Sequence, residues 1–284
     1  MQPCKSINCF FDDTFRVPVE VQMQRVYDGG FRHVDMNFWD WCHDPASPFR
    51  QDNWRQWVEG IAKKAQSLNV KFTQAHADVF NFYKDGPDGN GRYEMYRRSI
   101  EGAAMLGIPW VTYHPSRILM DAYESPEAEI KNLDDNIEHY KPLVELAEKW
   151  KVGIAIENMS TLIGKAWQLN YIVDGLKSDY VGICWDTGHA HIKGEDQAAS
   201  IHEMGSRLHA LHVQDNDGVR DEHLAPHYGT IDWNSLMNAL REIKYPGDFT
   251  FEAHMLVRKV PEPCRADALR LMYTIGEELV GDNY

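Results

Sequence analysis

Short apolar runs alternate with longer amphipathic segments along the whole chain. The runs have the length and β-branched content of buried strands, and the segments between them carry apolar residues at helical spacing. The pattern predicts eight strands, at Lys5–Phe10, Arg32–Phe38, Lys71–Ala75, Trp110–His114, Gly153–Glu157, Val181–Asp186, Leu208–Val213 and Thr250–Glu252. It predicts eight helices, at Val19–Tyr27, Trp54–Ser67, Tyr93–Leu106, Glu127–Trp150, Ala166–Leu176, Ala198–Ser206, Asn234–Ile243 and Arg265–Leu279.

Turn and capping residues agree with this alternation. Gly107 follows one predicted helix, and Ser125-Pro126 supplies an N-cap with proline at the first helical position of another. Strands that alternate with helices pair in parallel through right-handed crossovers. No GxGxxG opens the first unit, which disfavours a doubly wound open sheet. We therefore predict an α/β fold, a (β/α)₈ TIM barrel that forms a single domain over residues 1–284.

Ionisable residues stand at the ends of the last four predicted strands. Glu157, Asp186, His212 and Glu252 each follow a short apolar run. Because the carboxyl ends of barrel strands share one rim, these side chains should converge. Burying three carboxylates together is unfavourable without a cation. The sequence therefore predicts one divalent metal ion bound by these four residues, with oxygen-rich ligands that suit Mn²⁺, Co²⁺ or Mg²⁺ and tolerate Zn²⁺.

The stretches around these residues resemble the sugar phosphate isomerase/epimerase family of xylose isomerase-like barrels, which are related to tagatose/psicose 3-epimerases and endonuclease IV. The most specific stretches are IENMS (156–160), WDTGHAHIKG (185–194), LHVQDNDGVRDEHLAPHYGTIDW (211–233) and FTFEAH (249–254). The resemblance covers nearly the whole chain and implies the same four metal ligands. It implies that Glu157 and Glu252 also act as catalytic acid and base on opposite faces of the substrate. It further implies that His189 contacts substrate or an additional metal, near Asp221 and His223 on the long loop after strand seven.

Proton transfer beside a carbonyl group fits this set of residue types. A divalent cation stabilises the negative charge of an enediolate, one carboxylate removes a proton, and a second can return it to the other face. We therefore predict a metal-dependent isomerase or epimerase that acts on a small-molecule sugar or sugar phosphate.

Further rim residues are predicted to contact the substrate. Trp39 and Phe82 offer rings on which the apolar faces of a sugar can stack, and Arg117 could bind a phosphate or carboxylate. The full set of predicted substrate contacts is His189, His114, His76, Trp39, Phe82, Arg117, Asp221 and His223.

Two other activities remain open from the sequence. A dehydratase or lyase acting on a keto-sugar or inositol-type substrate would use the same enediolate chemistry. An endonuclease IV-like zinc phosphodiesterase would use nine residues, all present in type, namely His76, His114, Glu157, Asp186, His189, His212, Asp221, His223 and Glu252. The net charge of -14 argues against a nucleic-acid partner, because binding to a phosphate backbone favours basic surfaces.

Composition indicates the general class of the protein and where it is found. The hydrophobic fraction of 43% and charged fraction of 25% are ordinary for a globular protein. Five cysteines without a CxxC pair, no signal-peptide segment and no long apolar run favour a cytoplasmic protein that does not contact membranes. The family resemblance implies a homodimer or homotetramer.

Overall fold

Eight parallel strands form the centre of the protein, in a computed structural model that describes residues 1–7, 17–86, 88–118 and 123–281. The strands are β1 Pro3–Ile7, β2 His33–Asn37, β3 Lys71–His76, β4 Trp110–Tyr113, β5 Gly153–Glu157, β6 Val181–Asp186, β7 Leu208–His212 and β8 Phe249–Phe251. Each strand from β1 to β6 pairs in parallel with its successor, and β1 also pairs with β8. The predicted (β/α)₈ barrel is confirmed.

Helices follow the strands and cover the outside of the barrel. They are α1 Val19–Asp28, α2 Trp54–Leu68, α3 Phe82–Asp85, α4 Tyr93–Leu106, α5 Pro126–Trp150, α6 Ala166–Leu176, α7 Thr187–Ile192, α8 Gln197–Met204, α9 Trp233–Glu242, α10 Met255–Arg258 and α11 Arg265–Val280. The eight predicted helices are confirmed, with ends within two residues of those predicted. The Ser125 hydroxyl accepts from Ala128 N at 3.2 Å, and Gly107 ends α4 with a φ of 70°, so both capping residues act as expected.

Three helices, α3, α7 and α10, were not predicted. Each has six residues or fewer and follows a strand at the carboxyl rim. Helices this short gain little from propensity, and their stability comes from the contacts of the rim. Among the described helices, even the 25-residue α5 does not combine the length and apolarity needed to cross a membrane.

Several strand boundaries differ from the prediction by one or two residues. β2 begins one residue late and ends one residue early, and β3 ends one residue late, at His76. β1 begins at Pro3 rather than Lys5, and residues 8–10 of the predicted strand lie outside the described residues. β4 and β8 end one residue early, so His114 and Glu252 lie just beyond the strands. Just beyond these strand ends, backbone carbonyls accept hydrogen bonds from side chains instead of from a neighbouring strand. The His114 carbonyl accepts from the Tyr140 hydroxyl at 2.6 Å. The Glu252 carbonyl accepts from His223 Nδ1 at 3.0 Å.

The barrel closes between β7 and β8 along an edge that we call the seam. Over the described residues these two strands form no regular ladder, although Val213, just after β7, makes an isolated bridge with Phe251. Val213 N donates to Thr250 O at 2.8 Å, and Glu252 N donates to Val213 O at 3.0 Å. The predicted strand seven therefore ends one residue early, at His212, and Val213 belongs to the seam.

A cage of aromatic rings surrounds His139 on α5. Ring centroids lie 4.8 Å away for Phe82, 5.4 Å for Phe80 and for Tyr140, and 6.3 Å for Tyr93. The buried Nε2 has no hydrogen-bond partner in the part of the chain that the structure describes. Burial in this apolar surrounding lowers the pKa of His139 to about 4, since the charged imidazolium is poorly solvated there.

We expect the titration of His139 to lower the free energy of unfolding by about 2 kcal/mol between pH 7 and pH 5. Its pKa falls from 6.5 in the unfolded chain to about 4 in the folded protein, so the unfolded state binds more protons in this window. The stability that the neutral ring provides is therefore lost as the pH falls. His139→Phe, which keeps an aromatic ring, should remove this part of the pH dependence in urea titrations. An equal loss of stability in both proteins would contradict this assignment.

Candidate metal centre

The four residues predicted to bind a metal ion lie together at the carboxyl rim. Each offers one ligand atom, and these atoms all lie within 4.8 Å of one another. Glu157 ends β5, Asp186 ends β6, His212 ends β7, and Glu252 follows β8. Glu157, Asp186 and His212 are buried, whereas the side chain of Glu252 is 13% exposed. The group therefore faces the mouth of the barrel through Glu252.

Asp186 is held by its neighbours in a way that leaves one oxygen available. Asn158 Oδ1 accepts from Asp186 N at 2.6 Å, and Asn158 Nδ2 donates to Asp186 O at 2.9 Å. Asp186 Oδ1 accepts from His189 N at 2.6 Å and from Gln214 Nε2 at 3.3 Å. Asp186 Oδ2 is buried and meets no hydrogen-bond donor among the described residues. A buried carboxylate oxygen without a donor is costly, and a cation at this position would satisfy it.

The pKa values of Asp186 and Glu157 are shifted in opposite directions. Burial raises the pKa of Asp186 to about 6, despite the opposing effect of His189. Burial also raises the pKa of Glu157, but His212 and His114 outweigh it and hold that pKa well below its usual value. His212 Nδ1 lies 2.9 Å from Glu157 Oε1, and His114 Nε2 lies 3.0 Å from Glu157 Oε2. Glu157 is therefore a carboxylate at neutral pH, which is the form that binds a metal or accepts a proton.

His189, Asp221 and His223 form a second group beside the first. His189 Nε2 lies 3.3 Å from Asp221 Oδ2, and His223 Nε2 lies 3.4 Å from Asp221 Oδ1. Burial lowers the pKa of both histidines, but nearby carboxylates outweigh it and raise the pKa of His189 to about 10 and that of His223 to about 9. His189 Nδ1 is 3.7 Å from Asp186 Oδ1, so the two groups share a border. The role of this group, in binding substrate or an additional metal, stays a prediction.

His76 and His114 lie on the other side of Glu157. His76 Nε2 is 3.5 Å from Glu157 Oε2 and 3.1 Å from His114 Nε2, and the His76 ring stacks on His212 at 5.3 Å. His76, Glu157 and His212 form a second set of ligand atoms within 4.8 Å of one another. This set shares Glu157 and His212 with the first set, so His76 borders the same site.

Three rim histidines share one arrangement. Nδ1 lies within hydrogen-bond distance of a backbone carbonyl in each, at 2.8 Å from Ala77 O for His76, 2.9 Å from Asn158 O for His189 and 3.0 Å from Glu252 O for His223. When Nδ1 donates to a carbonyl, the ring orientation is fixed and Nε2 is directed toward a bound ion or substrate. Histidines in many metal sites are held in this way.

The remaining predicted substrate contacts lie on loops after β2, β3 and β4. Trp39 begins a short helix at 39–41 and contacts the His43 ring at 4.9 Å. Phe82 begins α3 and packs on His139. Arg117 lies beyond His114 and is half-buried, and its carbonyl accepts from Asn81. Contact of these three residues with a sugar stays a prediction.

Two amides that position the site were missed from the sequence. Asn158 clamps the backbone of Asp186, and Gln214 Nε2 also donates to Asp221 Oδ1 at 2.7 Å. The Gln214 side chain packs against Gly188. A Cβ atom at position 188 would lie 2.2 Å from this side chain, so the contact requires glycine there. Both amides stand one or two residues after a predicted ligand, and that adjacency is the feature that could have revealed them.

The fold and the site place this protein in a class: TIM barrels with buried carboxylates and imidazoles at the carboxyl rim, where a metal ion could bind. The chain belongs to the xylose isomerase-like TIM barrel family, whose sequence model matches residues 23–273. It is 29% identical over 204 residues to the uncharacterised protein y4fM of Sinorhizobium fredii, covering 70% of this chain and 64% of that protein. The match thus spans less than two thirds of that relative. An inosose isomerase of Bacillus velezensis is 24% identical over 198 residues, 65% of this chain and 68% of the relative.

Solved structures share the fold over nearly the whole chain. A D-tagatose 3-epimerase-like protein superposes with a TM-score of 0.74 and 22% identity, covering 99% of this chain and 100% of that one. The IOLI protein with a bound zinc atom superposes with a TM-score of 0.78 and 17% identity, covering 100% of this chain and 99% of that one.

Proposed function

We propose that this protein is a divalent-metal-dependent isomerase or epimerase of sugars or sugar phosphates. The observation that supports it most is the convergence of Glu157 and Glu252 on His212 Nδ1, at 2.9 Å and 3.6 Å. Two carboxylates from different strands thus flank one point at the mouth of the barrel. Sugar epimerases and isomerases among the relatives and structural neighbours support the same class of reaction.

The ligand set fits one divalent ion bound by Glu157, Asp186, His212 and Glu252. The unsatisfied Asp186 Oδ2 and the two neighbouring carboxylates of Glu157 and Glu252 favour a cation, and the donors suit Mn²⁺, Zn²⁺, Co²⁺ or Mg²⁺. When bound, such an ion stabilises negative charge that develops on substrate oxygens.

The protein's own groups would move the proton. In the proposed reaction, Glu157 removes the proton next to the carbonyl of the sugar, and Glu252 delivers one to the opposite face or the adjacent carbon. His189, held through Nδ1 by the Asn158 carbonyl, presents Nε2 to bind a substrate hydroxyl. His76, His114, Asp221 and His223 would line the same pocket.

Further parts of the proposal concern partners and extent. The substrate is a small-molecule sugar or sugar phosphate rather than nucleic acid, and Trp39, Phe82 and Arg117 would contact it. The barrel would act as one domain over residues 1–284 and assemble as a homodimer or homotetramer in the cytoplasm.

Solvent exchange tests the reaction class directly. Protein loaded with Mn²⁺ would be incubated in D₂O with ketohexoses, inososes and ketose phosphates, and the products followed by NMR. We expect deuterium at the carbon next to the carbonyl, together with an epimer or aldose. Loss of water from the product would favour the dehydratase or lyase alternative. If none of these sugars exchanges, although Mn²⁺ is bound, the proposed function is wrong.

A second candidate function is supported by the histidines around Glu157. The group formed by His76, Glu157 and His212, together with His189, Asp221 and His223, could bind two or three zinc ions and act on a phosphodiester. Zinc stoichiometry and cleavage of a duplex containing an abasic site would distinguish this activity. The net charge of -14 makes it the weaker proposal.

A further inference from the structure

A layer of buried polar side chains lies inside the barrel below the metal centre. Ser6, Asp35, Gln74 and Thr250 come from β1, β2, β3 and β8, and each is at most 4% exposed. The wall formed by β5, β6 and β7 instead carries the small side chains of Ala155, Cys184 and Ala210, which pack together. Buried polar groups must be satisfied internally, so the contacts of this layer reveal what it does.

Gln74 takes the place of a missing strand contact at the seam. Val213 uses its backbone N and O to bond with β8, at Thr250 O and Glu252 N. Alternate residues of a strand direct these groups to the same side, so Leu211 should bond to β8 in the same way. Instead, Leu211 N donates to Gln74 Oε1 at 3.3 Å, and Gln74 Nε2 donates to Leu211 O at 3.2 Å.

The carboxamide of Gln74 is fully used. Its second N–H donates to Asp35 Oδ2 at 3.1 Å, and Oε1 also accepts from the Thr250 hydroxyl at 3.4 Å. Asp35 Oδ1 accepts from the Ser6 hydroxyl at 3.1 Å. Two donors and two acceptors are thus satisfied, which holds the amide in one orientation across the barrel.

This contact lies next to two of the proposed ligands. Leu211 immediately precedes His212, and Thr250 lies two residues before Glu252. Without Gln74, β7 and β8 would be joined near the site by the contacts of Val213. The distance of 3.6 Å between His212 Nδ1 and Glu252 Oε2 depends on the relative position of these two strands.

We propose that Gln74 is a positioning residue for the metal centre, because its side chain joins β7 to β8 and fixes the spacing of His212 and Glu252. The inference rests on the proposed function, since it assumes that these residues bind a metal ion. Gln74 itself touches neither the ion nor the substrate. Partners outside the ligand set that orient metal ligands commonly change affinity by 10–100-fold when removed.

Metal binding by the Gln74→Met variant tests this role. Methionine keeps the length of the side chain but removes all four hydrogen bonds. We expect Mn²⁺ affinity, measured by calorimetry on metal-free protein, to fall about tenfold or more, and the visible spectrum of the Co²⁺-loaded protein to change. Ile154→Val is the matched control. Ile154 is fully buried on β5, and this substitution removes one methylene group without touching the hydrogen bonds between β7 and β8. We expect wild-type affinity and spectrum there, even though the apo protein melts earlier.

The outcomes separate the two proposals. Wild-type Mn²⁺ affinity and an unchanged Co²⁺ spectrum in folded Gln74→Met would overturn the positioning role and leave the proposed function standing. If the wild-type protein itself binds no divalent ion, the proposed function fails and the inference falls with it. Should Gln74→Met not fold, Thr250→Val is the second variant, because it removes the 3.4 Å contact with Gln74 while the other three hydrogen bonds of the Gln74 carboxamide remain. We expect it to bind Mn²⁺ several-fold more weakly, and wild-type affinity in it would overturn the inference.

Discussion

Replacing Glu157 with glutamine should lower turnover by about a thousandfold while the fold is retained. The amide has nearly the shape of the carboxylate but cannot accept the substrate's proton. It also removes the negative charge that lies 2.9 Å from His212 and 3.0 Å from His114, so the pKa of both rings should fall. Steady-state kinetics on the active sugar, with circular dichroism for the fold, measures the effect. A rate close to wild type would exclude Glu157 as the acid or base.

Comparison with Glu252→Gln separates proton transfer from metal binding. If the two glutamates act on opposite faces, each variant should lose epimerisation, yet each should still exchange the proton of one epimer with D₂O. The metal content of both variants must be measured in parallel, because each loses one proposed ligand. Glu222→Gln is the control, since Glu222 lies on the same rim but pairs with Arg220 at 3.5 Å. We expect it to keep wild-type turnover.

Removal of the metal should abolish activity and lower the melting temperature by about 5–10 °C. A ligand present at a hundred times its dissociation constant adds about 2.7 kcal/mol to stability, and this stabilisation is lost with the ion. The loss follows from the structure, because Glu157, Asp186 and Glu252 then lie together without a cation. Calorimetric melting of the protein after dialysis against EDTA, and again after addition of Mn²⁺, measures the change.

Asp186→Asn supplies the control for the melting experiment. The amide keeps the side-chain shape and can still accept the hydrogen bond from His189 N, but it removes the charge of the oxygen that has no donor. We expect a melting temperature that hardly responds to Mn²⁺ in this variant. A wild-type protein that also fails to respond, with full activity after EDTA treatment, would contradict the metal dependence.

The sequence predicted the barrel and the convergence of the four residues because both depend on local patterns. Apolar runs such as 153–156 and 181–185 have the character of buried strands whatever surrounds them. The topology of a parallel barrel then brings the ends of these strands to one rim. Convergence of Glu157, Asp186, His212 and Glu252 follows from the fold class alone.

What could not be predicted depends on contacts between distant strands. Gln74 bonds to Leu211, 137 residues away, and nothing in the residues around either position indicates this pairing. Asn158 similarly acts on the backbone of Asp186, 28 residues away. The Glu252 carbonyl just beyond β8 accepts from the distant His223 as well as from the nearby His254 N. Local propensity and periodicity contain no information about such partners.

The carbonyl-bound histidines have a consequence for how a substrate would bind. His76, His189 and His223 have their ring orientations set by hydrogen bonds to the backbone, so their rotamers are already restricted before a substrate arrives. Little side-chain entropy would then remain to be lost when these rings contact it. Selection among substrates would therefore reflect the positions of their polar groups rather than adaptation of these three rings.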